Sequence, residues 1–170
     1  DPIAPIANLF RRIRPLPRQR DTRVVVIVGL LLHAPFISLD AVAAALQTDP
    51  EGAGAALRAT AQCTLGDDPL IERYAQTWLL GAAAREAVAP ARGAPWFADV
   101  VGYSSTRSVE CRSTVLLWCR AFGTISTGDL MRLAGVSRGT AQKVLTTMVE
   151  RSELRRTGSG RSTAYRIAAQ

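Results

Sequence analysis

Two short amphipathic segments meet at Gly135-Val136-Ser137, and this junction restricts the fold more than any other part of the sequence. Glycine tolerates the left-handed backbone conformation that a tight turn between two helices needs. Serine is a favoured N-terminal cap, and Val136 stands where it would fill the angle between the helices. The junction therefore predicts a helix, a tight turn, and a further helix that begins after Ser137.

The segment after Ser137 has two chemically different faces. Its apolar residues recur at the spacing of one helical face, at Ala141, Val144, Leu145, Met148 and Val149. The opposite face holds Arg138, Gly139, Thr140, Gln142, Lys143, Thr146 and Thr147. This face is polar, contains no acid, and has its positive charge near the N-terminal end, as expected of a helix that enters the major groove of DNA.

Two further helices and a hairpin are predicted around this segment. Residues 109–122 form a first helix with a buried stripe of Val115, Leu116, Trp118, Cys119 and Phe122. Ser126 or Thr127 caps the second helix, in which Leu130, Leu133 and Ala134 face inward. Residues 154–157 and 163–167 form two strands around a glycine turn that presents Arg161 at its tip.

Residues 108–168, with Gly135, Val136, Ser137, Ala141 and Val144 at these offsets before a Gly-Ser-Gly-Arg hairpin, resemble the winged helix-turn-helix family of bacterial regulators. The resemblance departs from the family pattern at Met131, where a small residue is usual. It implies duplex DNA binding through a recognition helix and a wing. The residues that we expect at the DNA are Arg138, Thr140, Gln142, Lys143 and Arg161.

An earlier part of the chain, residues 21–88, has the same predicted order of elements. Ser38 caps one predicted helix, Asp49-Pro50-Glu51 begins another, and residues 69–74 and 77–80 form two strands. Residues 24–28 are β-branched and favour a strand by propensity alone, but the element order favours a helix. More loosely, a tandem pair of such modules resembles the C-terminal region of actinobacterial regulators with a Schlafen-type N-terminal domain.

Charge divides the chain into regions with different expected partners. The net charge is +7, and the basic pI near 10.3 favours a polyanionic partner. Residues 1–20 are predicted to be an extended basic arm, since prolines 15 and 17 interrupt an arginine-rich stretch. This arm is either a flexible tail that contacts DNA or a solvated linker. Residues 89–107 are predicted to be a linker. Because residues 40–72 contain six acids and one base, module 21–88 is assigned to homodimerisation or domain packing, and module 108–170 to DNA.

Enzymatic and metal-dependent functions find no support in the sequence. The three cysteines lack CxxC spacing and His33 is a single histidine, so no metal site, cofactor or disulfide framework is expected. Phosphate-binding glycine loops and the GxSxG motif are absent. The longest apolar run, residues 24–32, is far shorter than the roughly 20 residues of a membrane span. We therefore expect a cytoplasmic protein without enzymatic activity.

The predicted fold is mainly α with small β-hairpins, arranged as tandem winged helix-turn-helix modules. The predicted function is sequence-specific binding of double-stranded DNA by the C-terminal module, as in a transcriptional regulator. The alternative is a winged-helix scaffold that binds other proteins within a larger complex. A steep loss of DNA affinity with rising salt distinguishes the first from the second.

Overall fold

The computed structural model describes residues 4–14, 22–88 and 108–168, so the predicted linker 89–107 lies outside the described residues. The chain divides into two compact units, Asp1–Tyr103 and Ser104–Gln170. In the described residues, helices are joined by small antiparallel sheets. The prediction of a mainly α chain with small β elements is confirmed.

The N-terminal unit is a group of helices around two small three-stranded antiparallel sheets, with strand orders β1-β3-β4 and β2-β6-β5. Its elements are α1 (Ala4–Arg12), β1 (Ile13–Arg14), α2 (Arg23–His33), β2 (Ile37–Ser38), α3 (Leu39–Leu46), α4 (Pro50–Ala61), β3 (Thr64–Leu65), β4 (Asp68–Pro69), β5 (Ile71–Tyr74), β6 (Thr77–Leu80) and α5 (Ala82–Val88).

Residues 4–14 correct the prediction of an extended basic arm. Helix α1 and strand β1 belong to the unit, because Leu9 and Ile13 are buried in its core and Ile13 pairs with Leu65 of β3. The arginines at positions 11, 12 and 14 are exposed. An amphipathic helix buries its apolar stripe and leaves its charges in water, which explains both observations. The rest of the predicted arm, residues 1–3 and 15–20, lies outside the described residues.

Residues 24–32 fall within helix α2, in agreement with the element order and against the strand propensity of their valines. Five apolar side chains of α2 are buried in the N-terminal core: Val24, Ile27, Val28, Leu31 and Leu32. Val25 is 48% exposed. The free energy gained by burying nearly one whole face of the helix outweighs the modestly lower helix propensity of β-branched residues. The surface that this segment offers to a partner copy is correspondingly smaller than the sequence suggests.

The C-terminal unit has three helices followed by a hairpin in its described part. They are α6 (Ser108–Phe122), α7 (Thr127–Ala134), α8 (Arg138–Glu150), β7 (Leu154–Thr157) and β8 (Ala164–Ile167). Val115, Trp118 and Cys119 are buried as predicted, whereas Phe122 is 40% exposed and packs beside Trp118, with 4.3 Å between ring centroids. The prediction that Phe122 is buried is therefore wrong.

The junctions between these helices follow local chemistry. Ser126 caps α7 in a reciprocal capping box with Asp129, whose N–H donates to Ser126 Oγ over 3.1 Å. Gly135 adopts φ 65°, a left-handed conformation that glycine permits, and Val136 is buried beside it. Ser137 caps α8 by accepting from the Thr140 N–H. Gly135, Val136 and Ser137 therefore have the roles that the sequence predicts.

The two units share a sequence of caps and turns at a constant offset. Ile125, Ser126, Gly135 and Ser137 each stand 88 positions after Ile37, Ser38, Gln47 and Asp49. In both sets the serine caps a helix and the last residue caps the following helix. The third residue of each set has a left-handed backbone, with φ 52° at Gln47 and 65° at Gly135. In both, the isoleucine pairs with a later strand, Ile37 with Trp78 and Ile125 with Tyr165.

Candidate nucleic-acid interface

Helix α8 presents a continuous polar face to solvent. Its apolar residues Ala141, Val144, Leu145 and Met148 are buried, so the residues between them turn outward. The exposed residues of this face are Arg138, Gly139, Gln142, Lys143 and Thr146. The acid of α8 is Glu150, at its last position. The helix therefore offers cations and amide groups at its N-terminal half without a nearby carboxylate of its own.

Arg138 and Gln142 open onto a groove between α7, α8 and the hairpin. The groove has a volume of about 750 Å³. Its lining residues are Ser126, Thr127, Gly128, Met131, Arg138, Gln142, Thr146, Arg156, Gly160, Thr163 and Tyr165. The lining consists of two arginines, hydroxyl groups, an amide, small residues and the apolar side chain of Met131, with no acid. Such a concave, cationic surface suits a negatively charged partner.

Arg156 is a groove residue that the sequence prediction did not include. It lies directly opposite Tyr165 in the hairpin register, on the side of the sheet that faces the helices. Its Nη2 donates to Thr163 Oγ1 over 3.4 Å, which holds the guanidinium across the hairpin. Strand alternation from the buried Leu154 places Arg156 on this side, and that alternation is the signal in the sequence that could have identified it.

The hairpin is fixed to the helices by backbone pairing and by an ion pair. The N–H of Ile125 donates to the Tyr165 carbonyl and the Tyr165 N–H donates to the Ile125 carbonyl, both over 2.8 Å. Arg112 Nε on α6 lies 2.6 Å from Glu153 Oε2, next to the start of β7. These contacts hold the hairpin, and with it the backbone of Arg156, against α6 and the α6–α7 connection.

The remaining predicted site residues have different positions. Lys143 is on the same exposed face of α8 but does not line the groove. Thr140 is half-buried and its Oγ1 lies 3.0 Å from Ser137 Oγ, so it takes part in capping the helix. Arg161 belongs by its backbone to a short 3-10 turn, Gly160–Ser162; its side chain lies outside the described part. Met131, the departure from the family pattern, lines the groove.

The described residues hold neither a metal-binding cluster nor a membrane-spanning helix. In residues 4–14, 22–88 and 108–168, no group of three His, Cys, Asp or Glu side chains is arranged to hold a metal ion. Within the same ranges, no helix combines the length and apolar character needed to cross a bilayer. Cys63, Cys111 and Cys119 are buried free thiols.

The two units of the chain match two different protein families. Residues 106–168 match a C-terminal domain described as that of transcriptional regulators similar to DIP2311. The C-terminal unit is thus similar to a transcriptional-regulator domain, and this points to a regulatory role. Residues 4–89, half of the chain, match the family of unknown function DUF5635. The chain belongs to the DUF5635 family.

A solved structure has the same fold over nearly the whole chain. The crystal structure of the DIP2311 protein from Corynebacterium diphtheriae matches with a TM-score of 0.84 and 38% identity, over 96% of this chain. This chain spans 29% of the length of that crystallised chain. A comparison with curated proteins finds no match.

Proposed function

We propose that the C-terminal unit is a winged helix-turn-helix domain that binds double-stranded DNA in a sequence-specific manner, as part of a transcriptional regulator. In this assignment α8 is the recognition helix and the β7–β8 hairpin is the wing. The observation that carries the proposal is the acid-free groove of about 750 Å³ in which Arg138 and Gln142 of α8 stand beside Arg156 of the hairpin.

The chemistry of these side chains supports both affinity and specificity. Arg138 and Gln142 can each make a bidentate contact with a base edge, arginine with guanine and glutamine with adenine. Lys143 and Arg156 carry charge without a described acidic partner and suit phosphate oxygens. The similarity of residues 106–168 to a transcriptional-regulator domain supports the same role.

The direct test is a fluorescence-anisotropy titration of the full 170-residue chain with duplex DNA at several salt concentrations. Contacts with several phosphates predict a linear fall of log K with log salt, because bound phosphates release condensed cations. A variant with Arg138→Ala and Arg156→Ala should bind much more weakly than a control with Arg58→Ala and Arg120→Ala. Arg58 and Arg120 are exposed and do not line the groove. Equal affinities of the two variants would contradict the proposal.

For the N-terminal unit we propose a winged-helix-like module that mediates homodimerisation or packing. The constant offset of caps, left-handed turns and strand pairing between the units supports a tandem arrangement. Asp40, Asp49 and Glu51 are exposed at the starts of α3 and α4, and their carboxylates would repel phosphates. The looser likeness to Schlafen-type regulators stays a prediction.

The alternative function, a scaffold that binds other proteins, is favoured by this acidic N-terminal surface. A scaffold would show no duplex binding at low salt, where phosphate contacts are strongest. The salt titration of the full chain therefore separates the two functions as well.

A further inference from the structure

The solvent side of the β7–β8 hairpin holds two arginines directly opposite each other. Arg155 of β7 pairs with Arg166 of β8 in the register of the hairpin, and both side chains are exposed. Facing residues of an antiparallel pair have Cβ atoms only about 5 Å apart, and like charges at such positions destabilise the sheet.

No described acid neutralises this pair. Among the residues that the structure describes, neither guanidinium makes an ion pair, and the neighbouring Glu153 is bound to Arg112 over 2.6 Å. The arginine pair is therefore left with its mutual repulsion, which a bound anion would relieve. Two guanidinium groups at this spacing can also bind phosphate oxygens through bidentate hydrogen bonds.

The arginine pair points away from the groove of α8. Successive side chains of a strand alternate between the faces of a sheet, and Leu154, Arg156 and Tyr165 face the helices. Arg155 and Arg166 consequently lie on the opposite face, and neither lines the α8 groove. A duplex seated against α8 and Arg156 would leave this pair free for a second anion.

We propose that Arg155 and Arg166 form a second nucleic-acid surface, which binds the phosphodiester backbone of another duplex segment while α8 holds the first. The proposal rests on the proposed function, because it assumes that α8 engages DNA. It adds a second, sequence-independent contact on the far side of the hairpin, by which one chain joins two stretches of DNA.

The composition of this face favours a phosphodiester over a protein partner. Its other residues are Thr157, whose Oγ1 donates to the Ala164 carbonyl over 3.2 Å, and Ala164 itself. Protein interfaces need an apolar or aromatic centre, which these four residues do not provide. A phosphate backbone needs only cations and space.

The test is a bridging experiment with the full chain in a Val25→Asp background, which removes the proposed homodimer through the exposed side of α2. Without that change a dimer with two α8 faces would hold two duplexes by itself. The Val25→Asp chain serves as wild type in this test. One duplex is immobilised on beads, a second fluorescent duplex of the same sequence is added, and the fluorescence retained through the protein is measured at low salt. A parallel anisotropy titration gives the affinity for a single duplex. The variants are Arg155→Ala with Arg166→Ala, and the charge-matched control Arg58→Ala with Arg120→Ala.

Wild type and the control should retain the second duplex. The Arg155→Ala/Arg166→Ala variant should retain about tenfold less fluorescence on the beads than wild type. Its single-duplex affinity should change by about twofold or less, since the α8 contacts remain. A melting temperature at or above that of wild type at low salt verifies that the variant is folded, because the like-charge repulsion is gone.

Several outcomes would overturn the proposal. One is single-duplex binding by the wild type without bridging, which leaves the proposed function intact. Another is unchanged bridging by the Arg155→Ala/Arg166→Ala variant. A third is a loss of single-duplex affinity in that variant as large as in Lys143→Ala, which would place both arginines on the α8 docking face. If wild type binds no duplex at all, the proposed function fails as well.

Discussion

Ile125 and Tyr165 exchange both of their backbone hydrogen bonds, each of 2.8 Å, and thereby join the α6–α7 connection to the second strand of the hairpin. Ile125 is completely buried and Tyr165 nearly so. This pair fixes one strand of the hairpin, so the position of its tip depends on the turn between β7 and β8. Gly158 begins that turn with φ +72°, and a Cβ there would lie against the Ser162 carbonyl oxygen.

Gly158→Ala should therefore destabilise the protein by about 1–2 kcal/mol, because an L-residue is strained in this conformation and its methyl group has no space. Urea denaturation measures the loss. Gly139→Ala is the matched control, since nothing lies within 4 Å of its Cβ position on α8. It should stabilise the helix by about 0.5–1 kcal/mol. Equal effects of the two substitutions would refute the strained turn.

Lys143→Ala and Arg161→Ala should each weaken binding to every duplex by on the order of 1 kcal/mol and lower the salt slope by about one, because each side chain is assigned to a phosphate. Lys143 is on the exposed face of α8, and Arg161 follows from the sequence position at the hairpin tip. Anisotropy titrations over a range of salt measure both quantities. Unchanged affinity in both variants at moderate salt would reject this docking face.

The double substitution Arg138→Ala with Gln142→Ala should abolish base discrimination. Each bidentate contact contributes about 1–3 kcal/mol against the wrong base, and both side chains line the groove beside the exposed face of α8. The measurement is the ratio of affinities for a duplex selected from a random pool and for the pool itself. A variant that keeps the wild-type ratio shows that other residues read the bases.

The α8 face could be predicted from the sequence because its determinants are local. Ser126, Gly135 and Ser137 act on their own backbone within three or four residues, and the apolar spacing after Ser137 fixes which side of α8 is buried. Arg156 was missed because its place in the groove depends on the long-range pairing of Ile125 with Tyr165. Strand alternation from Leu154 indicates which side of the hairpin Arg156 occupies, but no local pattern shows that this side closes against α7 and α8.

The error at the N-terminus has a different cause. The arginines and the prolines at positions 15 and 17 dominate the composition there, and they favoured an extended arm. Ile6, Leu9, Phe10 and Ile13 nevertheless stand at i, i+3, i+4 and i+7, which is the spacing of one helical face. Leu9 and Ile13 are fully buried, and β3 provides a partner for Ile13, so the apolar spacing decides the structure of this segment.

Cys119 should be unreactive in the folded protein. Burial, and secondly the negative charge of Asp129, raises the pKa of its thiol from 9.0 to about 11. The thiolate is the reactive form, so alkylation at pH 8 should be far slower in the native protein than in urea. Mass mapping of peptides after timed iodoacetamide treatment measures this for each cysteine. Labelling of native Cys119 at the rate of an unfolded thiol would contradict the prediction.

The same shift gives a pH dependence of stability. Because the folded-state pKa lies above the ordinary value, the contribution of the neutral thiol is complete below pH 9 and is lost as the pH rises from 9 through about 11. Cys119→Ala should show a smaller decline of the unfolding free energy over this interval than wild type. Cys63→Ala, which also removes a buried thiol, is the control. An identical decline in wild type and Cys119→Ala would assign the effect to other groups.

Self-association through the N-terminal unit should depend on Val25. This side chain is 48% exposed on α2, while its apolar neighbours in the helix are mostly buried, so it is the part of α2 that another copy can reach. Val25→Asp would place a desolvated charge in an apolar interface, which is strongly unfavourable. It should leave the fold intact, because an acid is favourable in the first turn of a helix.

Sedimentation velocity of the full chain should therefore show a dimer for wild type and a monomer for Val25→Asp, with matching circular dichroism. Arg58→Ala, an exposed change on α4, serves as the control and should remain dimeric. A monomeric wild type, or a dimer that survives Val25→Asp, would remove α2 from the proposed interface. The N-terminal unit would then act by packing within the protein, and its acidic surface would keep DNA on the C-terminal unit.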